Sequence, residues 1–423
     1  MQAFLGIPVF LLLAYLLAER RRPFMGRVVL GGLLLQVTFG LLVLKVSYVR
    51  KLFELLSQAF VKILDYGQEG ALFLFGNLVR PEYQSTFGFI FVLQVLPTVI
   101  FFAALTAGLY HLGILQRVVQ AVAWVMRRTL NTSGPESLCV ASNIFLGQTE
   151  APLLIKPFLP RMSRSELMAV MTGGMATLAG GVLAAYVGFL GGNDPAAREK
   201  FALHLMTASI MNAPAALVFT KLLVPETDPD ASSRPFALPP TTRASNLIEA
   251  LAQGAADGLR LAANIAAMLL AFIATLALLN DLLLRLGNLL HINDWIQKTS
   301  HHLYPGLSLQ WILGWLFRPI AYLMGISWQE SLAVGALLGQ KLVLNEFVAY
   351  TQLPTLPLSE KARILSTYAL CGFANFSSIA IQLGGIGSLI PHRRGELASL
   401  GLRAVLGGSL AAILSATWVS LLL

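Results

Sequence analysis

The sequence predicts an all-α polytopic membrane protein, on three observations. The composition is too apolar for a water-solvated chain, about eight stretches are long enough to cross a bilayer, and further apolar stretches are broken by glycine, proline and polar residues. Of the 423 residues, 56% are hydrophobic and 12% are charged, whereas soluble domains carry about 25% charged residues. A helix needs roughly 20 apolar residues to cross the hydrocarbon core. Residues 1–18, 28–46, 87–109, 167–190, 201–223, 259–284, 364–390 and 397–423 meet or approach that length. After the first of these come Glu19 and three arginines, with no small-x-small cleavage site, so it reads as a retained helix.

The net charge of +9 is spread over short loop clusters: Arg20, Arg21, Arg22 and Arg27; Arg127 and Arg128; Arg161 and Arg164; Arg393 and Arg394. That is the pattern of positive cytoplasmic loops and not of a nucleic-acid surface. All four clusters fall on one side if two re-entrant hairpins enter the bilayer without crossing it, which puts both termini in the periplasm. The only cysteines, Cys139 and Cys371, lie in apolar segments and suggest no disulfide framework.

Residues 1–84 form N-terminal helices followed by an amphipathic stretch, 48–81, that reads as interfacial. Residues 85–130 give an apolar helix and an amphipathic helix, and 131–224 the first of two similar halves. A linker, an apolar helix and an interfacial helix occupy 225–328, and 329–423 form the second half. The polar, proline-rich run 225–245 is the linker-like segment. The halves share a faint repeat. Leu146-Gly147-Gln148 recurs as Leu338-Gly339-Gln340, and Leu178-Ala179-Gly180 as Leu370-Cys371-Gly372, both at a separation of 192 residues. Each first tripeptide is expected to interrupt an apolar stretch, and similar helices precede both, with Ala123-Trp124-Val125-Met126 before one and Ala321-Tyr322-Leu323-Met324 before the other. Repeats with interrupted helices point to a transporter's binding site near the membrane midplane.

Four polar constellations lie within apolar surroundings. The first runs from Ser142 and Asn143 through Gly147, Gln148, Thr149, Glu150 and Pro152. Non-helical backbone at membrane depth survives only where it lines a cavity or is buried in protein. Its freed amides and carbonyls, with the side chains beside them, can grip a polar planar ligand. An exposed loop is the competing reading, and the long apolar flanks oppose it. The second is Asn345-Glu346-Phe347-Val348-Ala349-Tyr350, where an intramembrane carboxylate marks a functional site; Lys341 either neutralises Glu346 or snorkels to the surface. The third is Cys371-Gly372-Phe373-Ala374-Asn375-Phe376-Ser377-Ser378, in which Asn375 and Ser378 share a helix face. Its alternative role is interhelical glue. The fourth, a glycine-rich helix at 171–181, sets Thr177 between two glycine pairs.

These motifs resemble the concentrative nucleoside transporters. Gly147-Gln148-Thr149-Glu150-Ala151-Pro152, Gly339-Gln340-Lys341, Asn345-Glu346-Phe347-Val348-Ala349-Tyr350 and Gly372-Phe373-Ala374-Asn375 are similar to that family's signatures, in its order, from about residue 85 to the C-terminus. The resemblance implies a homotrimer of eight-span protomers with two re-entrant helical hairpins and inverted repeats, in which a mobile transport unit moves past a trimeric scaffold. It implies that Gln148, Thr149 and Glu150 hold a nucleobase, with Val182 against its face. It also implies that Glu346, Asn375 and Ser378 bind ribose hydroxyls, with Phe373 nearby. The division is chemically sensible, since a carboxylate takes charge-assisted bonds from hydroxyls and an amide offers a donor and an acceptor to a base edge.

The expected activity is cation-coupled nucleoside uptake at a bacterial inner membrane, with sodium as the ion and neither an enzyme nor a nucleic-acid partner implied. Asn143 offers a side-chain oxygen and Thr177 a hydroxyl, and sodium-coupled members are similar at both positions. Backbone carbonyls of Asn143, Leu146 and Leu178 complete the implied cage. Proton coupling through Glu150 or Glu346 stays open, as does another polar solute, and Thr177 can instead bond its own backbone. The histidines have no metal-ligand spacing and no phosphate-cradling Gly-x-x-x-x-Gly-Lys motif occurs.

Overall fold

The computed structural model describes residues 2–20, 26–87, 90–192, 194–228 and 244–423. Met1, Arg21, Arg22, residues 88–89 and most of the linker (229–243) lie outside the described residues. Nineteen α-helices are found among the described residues. They are α1 (Gln2–Leu16), α2 (Gly26–Lys45), α3 (Ser47–Phe75), α4 (Gln84–Phe87), α5 (Phe91–Gln94), α6 (Leu96–His111), α7 (Ile114–Leu130), α8 (Gly134–Ser142), α9 (Arg164–Ala176) and α10 (Gly180–Gly191). The remainder are α11 (Pro195–Leu223), α12 (Leu247–Leu289), α13 (Asn293–Thr299), α14 (Leu309–Leu323), α15 (Ser331–Val343), α16 (Glu346–Gln352), α17 (Glu360–Leu370), α18 (Phe376–Leu389) and α19 (Arg394–Leu422).

Among the described residues, six helical spans, three of them joining neighbouring helical segments, are long and apolar enough to cross a bilayer: Gly26–Lys45, Phe91–His111, Arg164–Gly191, Pro195–Leu223, Leu247–Leu289 and Pro391–Leu422. The expected stretch at 1–18 is a 15-residue helix. The one at 364–390 is divided into α17 and α18 by non-helical residues 371–375. The stretch at 167–190 is likewise divided, into α9 and α10, so the glycine-rich segment around Thr177 is not one helix. Thr177 caps α9 in an extended conformation (φ −112°, ψ 172°).

The layering follows from burial. In α11 and in the α9–α10 span, 89% of the apolar window is buried by protein, against 22% in α12. The inner helices are α9–α11, α15–α17 and α19, and α12 packs along α6 with its other faces outward. That packing is close: a Cβ on Gly254 would lie 2.7 Å from the Ala103 carbonyl oxygen. The α7 helix is amphipathic in the expected way. Its buried residues Leu115, Val119, Ala123, Met126 and Leu130 recur every three or four positions, and Asn131 ends it in the left-handed region (φ 56°).

The repeat takes structural form at the breaks. Leu178-Ala179-Gly180 and Leu370-Cys371-Gly372 both sit where a helix stops and restarts, and the two breaks touch each other. Gly372 has φ +106°, and a Cβ there would meet the Ala176 carbonyl oxygen at 2.5 Å. Asn212 of α11 donates from Nδ2 to the carbonyls of Ala176 (2.8 Å) and Cys371 (3.5 Å), tying both breaks to one helix. The other repeated tripeptide behaves differently in the two halves. Gly147-Gln148 lies in the turn beyond α8, whereas Gly339-Gln340 is inside α15 and the interruption comes only at Leu344 and Asn345. A Cβ on Gly339 would meet Leu313 Cβ at 2.5 Å, so that glycine serves α14–α15 packing and not a break.

A buried ion cluster missed in the sequence anchors the first half. Capping boxes start α8 (Ser133, Glu136) and α9 (Ser163, Glu166). Lys221, near the end of α11, approaches Glu136 at 2.8 Å and Glu226 at 3.3 Å, and donates to Ser165 Oγ at 3.1 Å. One ammonium thus joins the beginnings of two helices to the end of a third.

Candidate functional site

Glu346 opens α16, and local sequence explains its position. Asn345 is the N-cap, its Oδ1 accepting from Val348 N at 3.0 Å. The carboxylate is 2% exposed. Its Oε1 accepts from Tyr186 Oη at 2.9 Å and its Oε2 from Asn375 Nδ2 at 2.8 Å. Tyr186 is wedged beside Tyr350 and Phe347, with ring centroids 4.3 and 4.9 Å away. Lys341 does not snorkel to the surface, and its charge acts on Glu346 without a close ion pair among the described residues. It is buried and donates to the carbonyls of Ala369 (3.0 Å) and Cys371 (3.4 Å), capping the C-terminal end of α17.

Asn375 is the N-cap of α18. Its Oδ1 accepts from Ser378 N at 2.8 Å and Ser377 Oγ at 2.7 Å, so the amide nitrogen is the end left for Glu346. Ser378 in turn accepts from Gln148 Nε2 at 3.3 Å. Gln382, one turn further along α18, donates to Gln148 Oε1 and to the Met171 carbonyl, each at 3.0 Å. A continuous chain of polar contacts therefore runs from Glu346 through Asn375 and Ser378 to Gln148 and Gln382. It joins the first constellation to the second and third across more than half the sequence.

The other expected ligand-binding residues are placed less centrally. Thr149 packs on α18, where a Cβ on Gly385 would lie 2.6 Å from its methyl carbon. Val182 is buried in the first turn of α10, and Phe373 is half-buried in the 371–375 break. Glu150 is exposed, and its Oε2 accepts from Gly147 N at 3.1 Å, closing the turn. It lines a cavity of about 450 Å³ between this turn, the start of α10, and helices α6 and α12, a volume within the usual range for small-ligand sites.

The expected ion ligands gather at the first break. Asn143 Oδ1 is buried without a hydrogen-bond partner among the described residues. Among the described residues, no backbone N–H reaches the carbonyls of Asn143, Leu146 or Leu178. Thr177 Oγ1 donates to Gly173 O at 2.8 Å, the local bond anticipated as its alternative, and its lone pairs remain available. Gly180 N donates to Phe145 O at 3.1 Å. Ser209 Oγ lies between Leu178 N (3.4 Å) and Ile144 O (3.5 Å). These bonds hold 143–146 against 177–180.

Sequence reasoning missed Tyr186, Ser209, Asn212 and Gln382. The signal for Gln382 was present: Asn375, Ser378 and Gln382 stand at i, i+3 and i+7 and share one helix face. Ser209 and Asn212, three apart in an apolar span, carry the same kind of signal. Tyr186 has none, because a tyrosine in an apolar helix is ordinary.

Known proteins resemble this chain along nearly its whole length. Family models described as "Na+ dependent nucleoside transporter C-terminus", "Na+ dependent nucleoside transporter N-terminus" and "Nucleoside recognition" match residues 204–420, 5–78 and 92–193. A nucleoside permease of Helicobacter pylori is 39% identical, with 97% of this chain and 95% of the relative covered. The sodium/nucleoside cotransporter 1 of Rattus norvegicus is 40% identical over 98% of this chain and 62% of its own length. A structure of CNTnw in an inward-facing substrate-bound state, 39% identical, superposes with a TM-score of 0.88 over 99% of this chain and 98% of that one.

Proposed function

The chain belongs to the concentrative nucleoside transporter family, and from that premise we propose that it takes up nucleosides by sodium-coupled symport across a bacterial inner membrane. The observation that carries this reading is the buried carboxylate of Glu346, bonded to Asn375 and linked through Ser378 to Gln148. A membrane protein keeps an ionisable group at such depth for a ligand or an ion. Here the carboxylate accepts from a hydroxyl and an amide at one end of a polar chain, while the Gln148 and Gln382 amides lie at the other. Ribose hydroxyls are assigned to Glu346, Asn375 and Ser378, with Phe373 beside them. The base is assigned to Gln148, Thr149 and Glu150, with Val182 against its face.

Sodium is the co-transported ion in this reading, and the donor set fits it. Among the described residues, Asn143 Oδ1 is a buried oxygen without a partner, Thr177 contributes a hydroxyl, and the carbonyls of Asn143, Leu146 and Leu178 are free of backbone N–H bonds. Hard oxygen ligands from unwound backbone suit a small monovalent cation. One such charge crossing 100 mV supplies about 2.3 kcal/mol toward uphill uptake. The moving part comprises 131–224 and 329–423, carried as an elevator past 85–130 and 225–328 in a homotrimer, with two re-entrant hairpins and both termini periplasmic. The test is uptake of uridine into proteoliposomes under an imposed sodium or proton gradient. Sodium alone should drive it. Uptake driven by protons alone overturns the ion, and stabilisation of the purified protein by sugars or amino acids in place of uridine overturns the substrate.

A further inference from the structure

We propose that Gln382 is a positioning residue that fixes Gln148 as a hydrogen-bond donor toward the base, so that the site selects nucleosides presenting an exocyclic carbonyl over those presenting an exocyclic amine. The inference rests on the assignment of Gln148 to the base.

The polarity starts at a backbone atom that cannot be reversed. The Met171 carbonyl in α9 only accepts, and Gln382 meets it at 3.0 Å with Nε2. Turning the Gln382 amide over would set its Oε1 against that carbonyl, two acceptors at hydrogen-bond distance. The same nitrogen uses its second N–H on Gln148, so the facing atom there is Oε1, at 3.0 Å. Gln148 Nε2 is then the end directed into the site, where Ser378 Oγ receives one of its N–H groups through a bond of 3.3 Å. The other N–H is left for a ligand. Because Ser378 Oγ accepts from Gln148, its own O–H is also left to donate.

Neither amide has room to swing away. Gln382 is fully buried and Gln148 nearly so. Both press on Gly174 of α9, where a Cβ would lie 2.8 Å from Gln148 Cβ and 3.0 Å from Gln382 Nε2. Gln382 Oε1 is buried with no partner among the described residues, so this amide is held by its two donated bonds. The base accordingly meets a donor at Gln148, while the Ser378 hydroxyl stays with the ribose. A carbonyl oxygen on its edge is matched, while an amino group leaves donor against donor, the mismatch that polar sites reject most strongly.

The experiment measures binding of uridine, cytidine, inosine and adenosine to the purified full-length protein, alongside thermal unfolding. Wild type should bind uridine over cytidine, and inosine over adenosine, by about tenfold. In Gln382→Met, which keeps length and burial but cannot hydrogen-bond, the Gln148 amide turns freely and both ratios should fall to about threefold or less. Gln382→Leu gives a second variant of the same kind. In a Gln148→Ala background, adding Gln382→Met should change neither ratio further, which a general packing defect would not reproduce. Full selectivity in folded Gln382→Met, a wild-type preference for the amino nucleosides, or an equal ratio change in both backgrounds would each overturn the proposal. The underlying base assignment fails separately, if Gln148→Ala weakens all four nucleosides by one factor.

Discussion

Replacing Glu346 with glutamine separates ligand recognition from folding, because the surrounding bonds allow the swap. Asn375 cannot turn over: its Oδ1 is committed to Ser378 N and Ser377 Oγ. Its Nδ2 must therefore meet an acceptor, so the substituted side chain would place its amide oxygen there. The new amide nitrogen then faces Tyr186, whose hydroxyl can rotate from donor to acceptor. Both bonds persist as neutral ones, and the fold should lose no more than about 1 kcal/mol. What disappears is the charge. A charge-assisted bond from a ribose hydroxyl contributes about 1.5–3 kcal/mol, so uridine affinity should fall roughly ten- to a hundredfold. Isothermal titration with uridine, paired with thermal unfolding, reads both quantities. Free nucleobases, lacking ribose, should be comparatively insensitive. Unchanged uridine affinity in a well-folded Glu346→Gln protein would refute the assignment of this carboxylate to the ribose.

Further outcomes follow from the same geometry. Gln148→Ala should change the ranking of uridine against adenosine in competition binding and not merely lower both affinities, since it removes an oriented donor. Asn143→Ala should abolish or sharply weaken sodium dependence of uptake by removing a buried oxygen that has no other partner among the described residues; full sodium dependence in that variant would remove the ion site from the first break. Gly372→Ala should be strongly destabilising in thermal unfolding, by about 2 kcal/mol or more, because it adds a methyl 2.5 Å from Ala176 O at a residue with φ +106°. A variant as stable as wild type would mean that the two breaks can separate at little cost.

Composition and apolar run length were enough to place this chain in the membrane and to make it all-helical, because a bilayer leaves the backbone few other ways to satisfy its hydrogen bonds. The motif residues were legible for a related reason: Glu346, Gln148 and Asn375 are costly within apolar sequence and stand out wherever they occur. Local chemistry extended that far, and the caps at Ser133, Ser163, Asn345 and Asn375 follow ordinary helix-start rules. What only the tertiary structure decided was which polar groups meet. Lys341 lies five residues from Glu346 in sequence, yet it caps α17, and Tyr186, 160 residues away, reaches the carboxylate. Gln382 and Gln148 are 234 residues apart and share a hydrogen bond. Sequence patterns report the period of a single helix, whereas the site is made where two broken helices cross. There Ser209 and Asn212 of α11 and Lys341 of α15 meet backbone groups that the breaks set free. That pairing depends on which half packs against which, and no local signal encodes it.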